Sequence, residues 1–538
     1  MGKELLFKAF KREPVDRIPW VPFVGCHGGK LIGADASEYL RSSELMVQGL
    51  SAAIELYKPD GIPVMFDLQV EAEALGCELK WSPSTPPAVV SHPLLNEISI
   101  DHFSVPDRLA GRIPIIMETT KLLRKRFPDL ALYGLITGPF TLGLHLLGTE
   151  IFVSMMESPD NVHRLMKFTT KVCKAMTDYY LESGCDVIAL VDPMTSQIDP
   201  ASFNSFVTPY VSQCFDYIRQ KDALSSFFVC GHAQQNIEEM CKCNPDNISI
   251  DENIPLEYVK EYASEYKISF GGNLKLTLVL LLGTPEDSQH EALECMDIGG
   301  NEGFILSPGC DMPMDTPAEN VEAISDLLYD NYLQEVVRAK EQKETDLDLL
   351  NMKDYGQADK VIVDIITLDS ESCAPCQYMV EAVKKVAPHF EGIVEWREHP
   401  IKKLESISFM SSMMVKNIPT ICIDGKITFV SKIPPKNDLI SAIQKRINEK
   451  LILKIKSKKG EILILGSSIE ECAEVEKNVK KALEETGKEL EVVLSTNEKI
   501  LASYGVYNTP AIIVAEYNLK SQGDIPEVAI IKEWIKDI

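Results

Sequence analysis

Eight short apolar runs place the strongest constraint on how this chain can fold. VDRIPWVPF, DGIPVMF, LALYGLIT, CDVIALVD, SSFFVC, NISID, KISFGGN and GFILSPGC follow one another through the amino-terminal three-fifths of the sequence, each ending in a Gly, Pro, Asp or Cys loop. Amphipathic stretches at helical spacing separate them, among them Ser42–Leu56, Pro114–Phe127, Asn161–Ser183, Pro200–Gln220 and Pro255–Tyr266. Eight strand–helix units in sequence are what a (β/α)8 barrel requires, and residues 1–340 are expected to form one. A doubly wound open sheet is the alternative, but no G-x-G-x-x-G follows the first strand.

The rhythm then breaks. Residues 341–358 are charge-dense, lose the strand pattern and read as a linker. After them the pattern restarts twice, over 359–450 and 451–538, each time in the order strand, helix, strand, helix, X-Pro, strand, strand, helix. Such a repeat predicts two small α/β domains in tandem behind the barrel. The whole chain of 538 residues carries 54 basic against 80 acidic side chains, a net charge of −26 that repels phosphate backbones and disfavours a nucleic-acid partner. The longest apolar run, Leu274–Leu282, is far short of the roughly 20 residues that cross a bilayer. The amino terminus shows no signal peptide, and Leu6 spoils a myristoylation pattern. A cytoplasmic protein with no membrane partner is expected, its 14 cysteines mostly reduced.

Cys373-Ala-Pro-Cys376 stands where a hydrophobic strand gives way to a helix. The exposed amides of a helix start lower the pKa of the first thiol, so Cys373 can attack a disulfide as thiolate, and Cys376, one turn on, can resolve the mixed disulfide. With no second C-x-x-C to match it, a structural zinc is disfavoured there. This segment, Asp359–Asn448, resembles the thioredoxin/glutaredoxin fold, and Ile418-Pro419-Thr420 is similar to its cis-proline loop, which implies that Pro419 sits against the active sulfurs. The last segment resembles the same fold through Thr509-Pro510-Ala511, but Ile469-Glu470-Glu471-Cys472 replaces the redox pair. One thiol cannot close an intramolecular disulfide, so a structural or docking role, with Cys472 as a monothiol, is expected.

The barrel segment carries VDRIPWVPF, FDLQVEAEALGCEL at Phe66–Leu79, ITGPFTLG at Ile136–Gly143, FFVCGH at Phe227–His232, ISFGGNLKLTLVLLLGTPED, and GFILSPGCDMPMDTPAEN at Gly303–Asn320, in that order. Through these stretches it resembles the uroporphyrinogen decarboxylase superfamily, and within it the corrinoid-dependent methyltransferases that act on methylcobamide and coenzyme M. Decarboxylase members have an arginine-rich stretch after the first strand; here that loop reads Val24-Gly25-Cys26-His27-Gly28-Gly29-Lys30, with little to clamp a polyanionic tetrapyrrole. Methyl transfer to a thiol needs a thiolate, and zinc supplies one by deprotonating a bound thiol. The resemblance implies a His-x-Cys pair at one strand end and a distant Cys at another. Cys230 and Cys310 match the cysteines, whereas Phe228 stands where the histidine belongs. His232, two residues beyond Cys230, has the same strand parity and is the expected third zinc ligand. An altered ligand set, or a barrel that has lost its metal, are the competing readings.

Asp192, and Asp251 after NISI, are expected at the mouth to orient a ligand or substrate, with capping of the next helix the equal alternative. Asp67 is expected to face the corrinoid or to pack, with Glu71 and Glu73. Cys26 and His27 are read chiefly as structural, as is the pair Cys241 and Cys243. The function expected is transfer of a methyl group between a methylated corrinoid, carried on a separate protein docked over the mouth, and a zinc-held thiol. The redox domains would keep the barrel or corrinoid machinery reduced, or present a thiol themselves. The rivals are a thiol–disulfide oxidoreductase whose barrel only binds a partner, and a decarboxylase.

Overall fold

Seven strands of the first segment pair in parallel, in sequence order: Gly61–Pro63, Ala131–Thr137, Val187–Val191, Leu224–Val229, Asn247–Ile250, Ser269–Leu274 and Phe304–Pro308. The computed structural model describes residues 2–536 apart from 97–98, 341–349, 351–354, 356–359, 371–372, 458–460, 505, 507 and 515–517. The eighth run, VDRIPWVPF, closes the barrel without forming a regular strand. Val21 N donates to Leu306 O (3.0 Å) at one sheet edge, and Asp60 N donates to Trp20 O (2.9 Å) at the other. Pro19 and Pro22 have no amide hydrogen, so a continuous ladder cannot form there. Asp60 completes the join: its carboxylate accepts from Trp20 N (2.9 Å) and from the Arg17 guanidinium (2.7 and 2.9 Å).

Side chains from alternate strand positions fill the barrel. Tyr133, Leu135, Ala189, Val191, Phe228 and Ile305 belong to one buried cluster, which puts the chemistry at the strand ends and not in the interior. The helices fall close to their expected places, with one difference. Pro200–Gln220 is broken into Pro200–Phe206 and Thr208–Gln220, because Pro209 cannot donate to the preceding turn. The apolar run near Leu274 winds into a π-helical turn, Leu276–Leu281, beside the mouth. Among the described residues no single helix is long and apolar enough to cross a membrane; two short helices, Pro139–Leu147 and Glu150–Glu157, pass that test only together and are bent by 103°.

The two carboxy-terminal repeats have the same sheet. In the first, Val394–Pro400, Val361–Thr367, Thr420–Ile423 and Lys426–Val430 lie in that order, with the first pair parallel and the others antiparallel. In the second the order is Glu491–Ser495, Glu461–Leu465, Ala511–Val514 and Asn518–Gln522. The Ile418–Pro419 and Thr509–Pro510 bonds are both cis. The chain divides into two units, Met1–Leu439 and Ile440–Ile538, so the barrel and the four-stranded sheet of the first repeat fall in one unit. The expected linker lies largely outside the described residues. In the second unit Cys472 is fully buried among Ile464, Val475 and Ile512, and a Cβ at Gly466 would come within 2.3 Å of its sulfur. The expected monothiol is thus a core residue, enclosed by its own domain.

Candidate active site

Two strand ends deliver the central pair. Leu224–Val229 runs into Cys230 and Phe304–Pro308 into Gly309-Cys310, and the two Sγ atoms stand 3.1 Å apart, both half-buried. The strands are not neighbours in the sheet, so it is barrel closure that brings the two cysteines together. The hydrogen bond to Cys310 and burial push the Cys230 thiol well above its ordinary range, and the Asp251 and Glu252 carboxylates push the same way. These surroundings favour the protonated form of the Cys230 thiol, and a cation bound beside it would favour the thiolate.

Acidic residues support the pair. Asp251 accepts from Gly231 N and from Asn253 N (2.9 Å), fixing the loop that carries Cys230. Glu252 accepts from Leu276 N (3.3 Å) through Oε1, while its Oε2 is buried without a hydrogen-bond partner. That oxygen is so close to the Cys310 strand end that a Cβ at Gly309 would come within 2.3 Å of it. Burial raises the Glu252 carboxyl to about 8, with Asp251 adding to the effect. Asp311 Oδ1 is likewise buried and unpartnered, and Gly25, at φ +40°, passes it at a distance no side chain would permit. Neither Glu252 nor Asp311 stood out in the sequence, although acidic residues immediately after strand ends at this face are the signal that could have found them.

His232 is not gathered with the cysteines. The strand ends at Val229, and Gly231 takes a φ of +87°, so the parity that would have aimed His232 beside Cys230 no longer applies. Its Nδ1 is buried and unpartnered. Phe228 packs in the barrel against Phe23 and Phe66, with ring centroids 5.4 and 6.0 Å away. Among the described residues no three His, Cys, Asp or Glu side chains stand at metal-binding spacing. The donors beside the pair nonetheless have the chemistry that zinc selects: two thiols and a carboxylate with one unpartnered buried oxygen.

Other expected residues have structural partners. Asp192 is fully buried and caps the helix Pro139–Leu147, accepting from Thr141 N (2.7 Å), Thr141 Oγ1 (2.6 Å) and Phe140 N (3.2 Å). Asp67 lines the mouth, but its oxygens are held by Arg112 (2.5 Å) and Gln69 N (2.8 Å). His27 bridges Met314 O (3.0 Å) and Tyr57 Oη (2.6 Å), and Cys26, Cys241 and Cys243 are buried.

Glu71 gives a test of pH dependence. Thr137 Oγ1 lies 2.7 Å from both Glu71 Oε2 and Leu68 O, and one hydroxyl proton cannot serve both acceptors. A protonated Glu71 resolves the conflict by donating, and burial raises this carboxyl to about 7. The folded state therefore binds the proton more tightly than the unfolded chain does. The stability this confers is complete below the ordinary carboxyl value of 4.5 and is lost as pH rises through about 7. Glu71→Gln keeps a donor at every pH. Its unfolding midpoint relative to wild type should rise from pH 5 to pH 8 by an amount equivalent to on the order of 2–3 kcal/mol. A constant difference across that range would refute the assignment.

The first carboxy-terminal repeat packs on this same mouth. Cys373 caps the helix Ala374–Val386 and is joined to Cys376 in a disulfide. One cavity of about 280 Å³ is lined by Cys230 and Cys310 from the barrel and by Cys373, Cys376 and Pro419 from the first carboxy-terminal repeat. Gln377 Nε2 donates to Val89 O (2.8 Å), Ile433 N donates to Gln197 Oε1 (3.0 Å), and the Tyr378 and His92 rings stack at 6.0 Å. The face expected to receive a corrinoid protein is thus the one that this repeat covers.

A barrel of this topology, with its cysteine pair at the carboxy-terminal strand ends, defines the protein's class, and residues 1–330 match the uroporphyrinogen decarboxylase (URO-D) family. The chain belongs to that family. Residues 460–536 match the thioredoxin domain family. The chain is similar to the methylcobamide:CoM methyltransferase MtbA of Methanosarcina acetivorans, 27% identical over 327 residues, 60% of this chain and 95% of that protein. It is 26% identical to MtaA of Methanosarcina barkeri, a methylcobamide:CoM methyltransferase, over 60% of this chain and 96% of that one. A uroporphyrinogen decarboxylase from an Anaeromyxobacter species is 23% identical over 60% of this chain and 97% of its own. Among solved structures, a methyltransferase from Methanosarcina mazei superposes with a TM-score of 0.57 at 26% identity, covering 62% of this chain and 99% of that one.

Proposed function

We propose that this protein is a methyltransferase that moves a methyl group between a corrinoid and a thiol at the Cys230–Cys310 centre. The observation that carries the reading is the contact between these two thiols at the mouth of a URO-D barrel whose relatives include methylcobamide:CoM methyltransferases. Cys230 and Cys310 would hold zinc, with Glu252 as the third donor in place of His232. Zinc bound there would keep an incoming thiol in its thiolate form. Asp251 holds the Cys230 loop in register, and Gly309 leaves room for the Glu252 carboxylate against Cys310.

Decarboxylation of a polyanionic tetrapyrrole fits the walls poorly. They present Asp67, Asp251, Glu252, Asp311, Asp315 and Asp369, and the single cation among the described lining residues is Lys402, paired with Asp369 at 2.7 Å. A corrinoid carried by a separate cytoplasmic protein would compete with the redox domain for this mouth. Methylcobalamin demethylation, followed by absorbance under anaerobic conditions, tests the reading. Loss of the methyl–cobalt band should require both the protein and an added thiol such as coenzyme M. Absence of thiol-dependent turnover with every small thiol tried, and with coenzyme M above all, would set the reading aside in favour of a redox protein.

A further inference from the structure

We propose that the barrel pair Cys230/Cys310 is the substrate of the chain's own Cys373–Cys376 disulfide, the two exchanging electrons inside their shared cavity. The inference rests on reading CAPC as a redox site and is independent of methyl transfer. Three observations carry it. Both sulfur pairs line one cavity of about 280 Å³, as does the proline-loop residue Pro419. The helix that starts at the disulfide is fixed to the barrel just beyond Cys376, through Gln377 to Val89 O (2.8 Å) and Tyr378 against His92 (6.0 Å). Cys376 is fully buried and Cys373 is not, so the sulfur open to attack is the one at the helix start, on the cavity side. A surface that would meet an outside protein disulfide is here turned to two thiols 3.1 Å apart.

The step balances within the chain. One barrel thiol, as thiolate, attacks Cys373 Sγ; the Cys373–Cys376 bond breaks and Cys376 leaves as thiolate. The second barrel thiol then attacks its neighbour's sulfur, forming the Cys230–Cys310 disulfide and releasing Cys373 as thiolate. Two electrons pass from the barrel pair to the CAPC pair, and the two thiol protons end on Cys373 and Cys376. Run in reverse, the reduced CAPC pair rescues an oxidised barrel centre and emerges as the disulfide.

The test uses the full-length chain under anaerobic conditions. Cys376→Ser removes the resolving thiol, and mild oxidation with diamide should then trap Cys373 linked to Cys230 or Cys310, identified by peptide mass spectrometry. In parallel, wild type and a Cys373→Ser/Cys376→Ser variant are oxidised, and their reduction by dithiothreitol is followed by differential alkylation. The Cys230–Cys310 bond should be reduced at least about tenfold more slowly in the variant. If no mixed disulfide forms and the two rates agree while wild type still reduces insulin, CAPC is redox-active and the internal exchange is wrong. If insulin reduction is absent as well, the redox reading falls with it.

Discussion

Arg112→Met should lower the stability of the barrel by about 3–5 kcal/mol, the cost of leaving a buried charge without its partner. The Arg112 side chain is 4% exposed and bonds Asp67, itself wholly buried, at 2.5 Å and Glu73 at 2.7 Å. Glu73 is 27% exposed and can turn toward water; Asp67 cannot. The guanidinium also lies 4.8 Å over the Trp81 ring, a contact that methionine keeps only in part. Adding Asp67→Asn should restore much of the loss, because the uncompensated charge goes with it. Unfolding midpoints of the two single variants and the double variant measure this. A single-variant loss under about 1 kcal/mol would mean that Asp67 does not depend on Arg112. Asp67 would then be free to face a ligand, as its sequence position suggested.

Cys230→Ala and Cys310→Ala should each reduce thiol-dependent methyl transfer by at least about 100-fold, equivalent to roughly 2.7 kcal/mol of transition-state stabilisation. The double variant should be no worse than either single one, since two groups that act as one unit are lost together. Their contact at 3.1 Å is the structural basis for treating them as a unit. Additive losses would indicate two independent roles instead.

The architecture was largely legible in the sequence, because parallel strands covered on both faces read as continuous apolar runs and the repeat order survives in the second redox-like domain. The run VDRIPWVPF was recognised, yet its prolines leave it a single bridge, Trp20 to Leu306, and isolated hydrogen bonds in place of a ladder. The two cysteines were legible as motif positions 80 residues apart; their contact follows from closure of the barrel, a tertiary fact. The strand parity that pointed to His232 does not extend past Cys230, because Gly231 takes a left-handed turn that parity cannot anticipate. Asp192 does follow the strand Val187–Val191, but which partner it and Asp67 take depends on Thr141 and Arg112, both remote in sequence. The packing of the CAPC helix on the barrel mouth was not legible at all. It rests on single contacts such as Gln377 with Val89, which have no sequence signature.

Metal content of the anaerobically purified chain, beside Cys230→Ala, Cys310→Ala, Glu252→Gln and His232→Ala, tests the central claim most directly. The expected result is about one zinc per chain, lost in both cysteine variants, weakened by Glu252→Gln and unchanged by His232→Ala. A metal-free wild type, or a zinc that survives loss of either cysteine, would contradict a single thiolate centre at the barrel mouth.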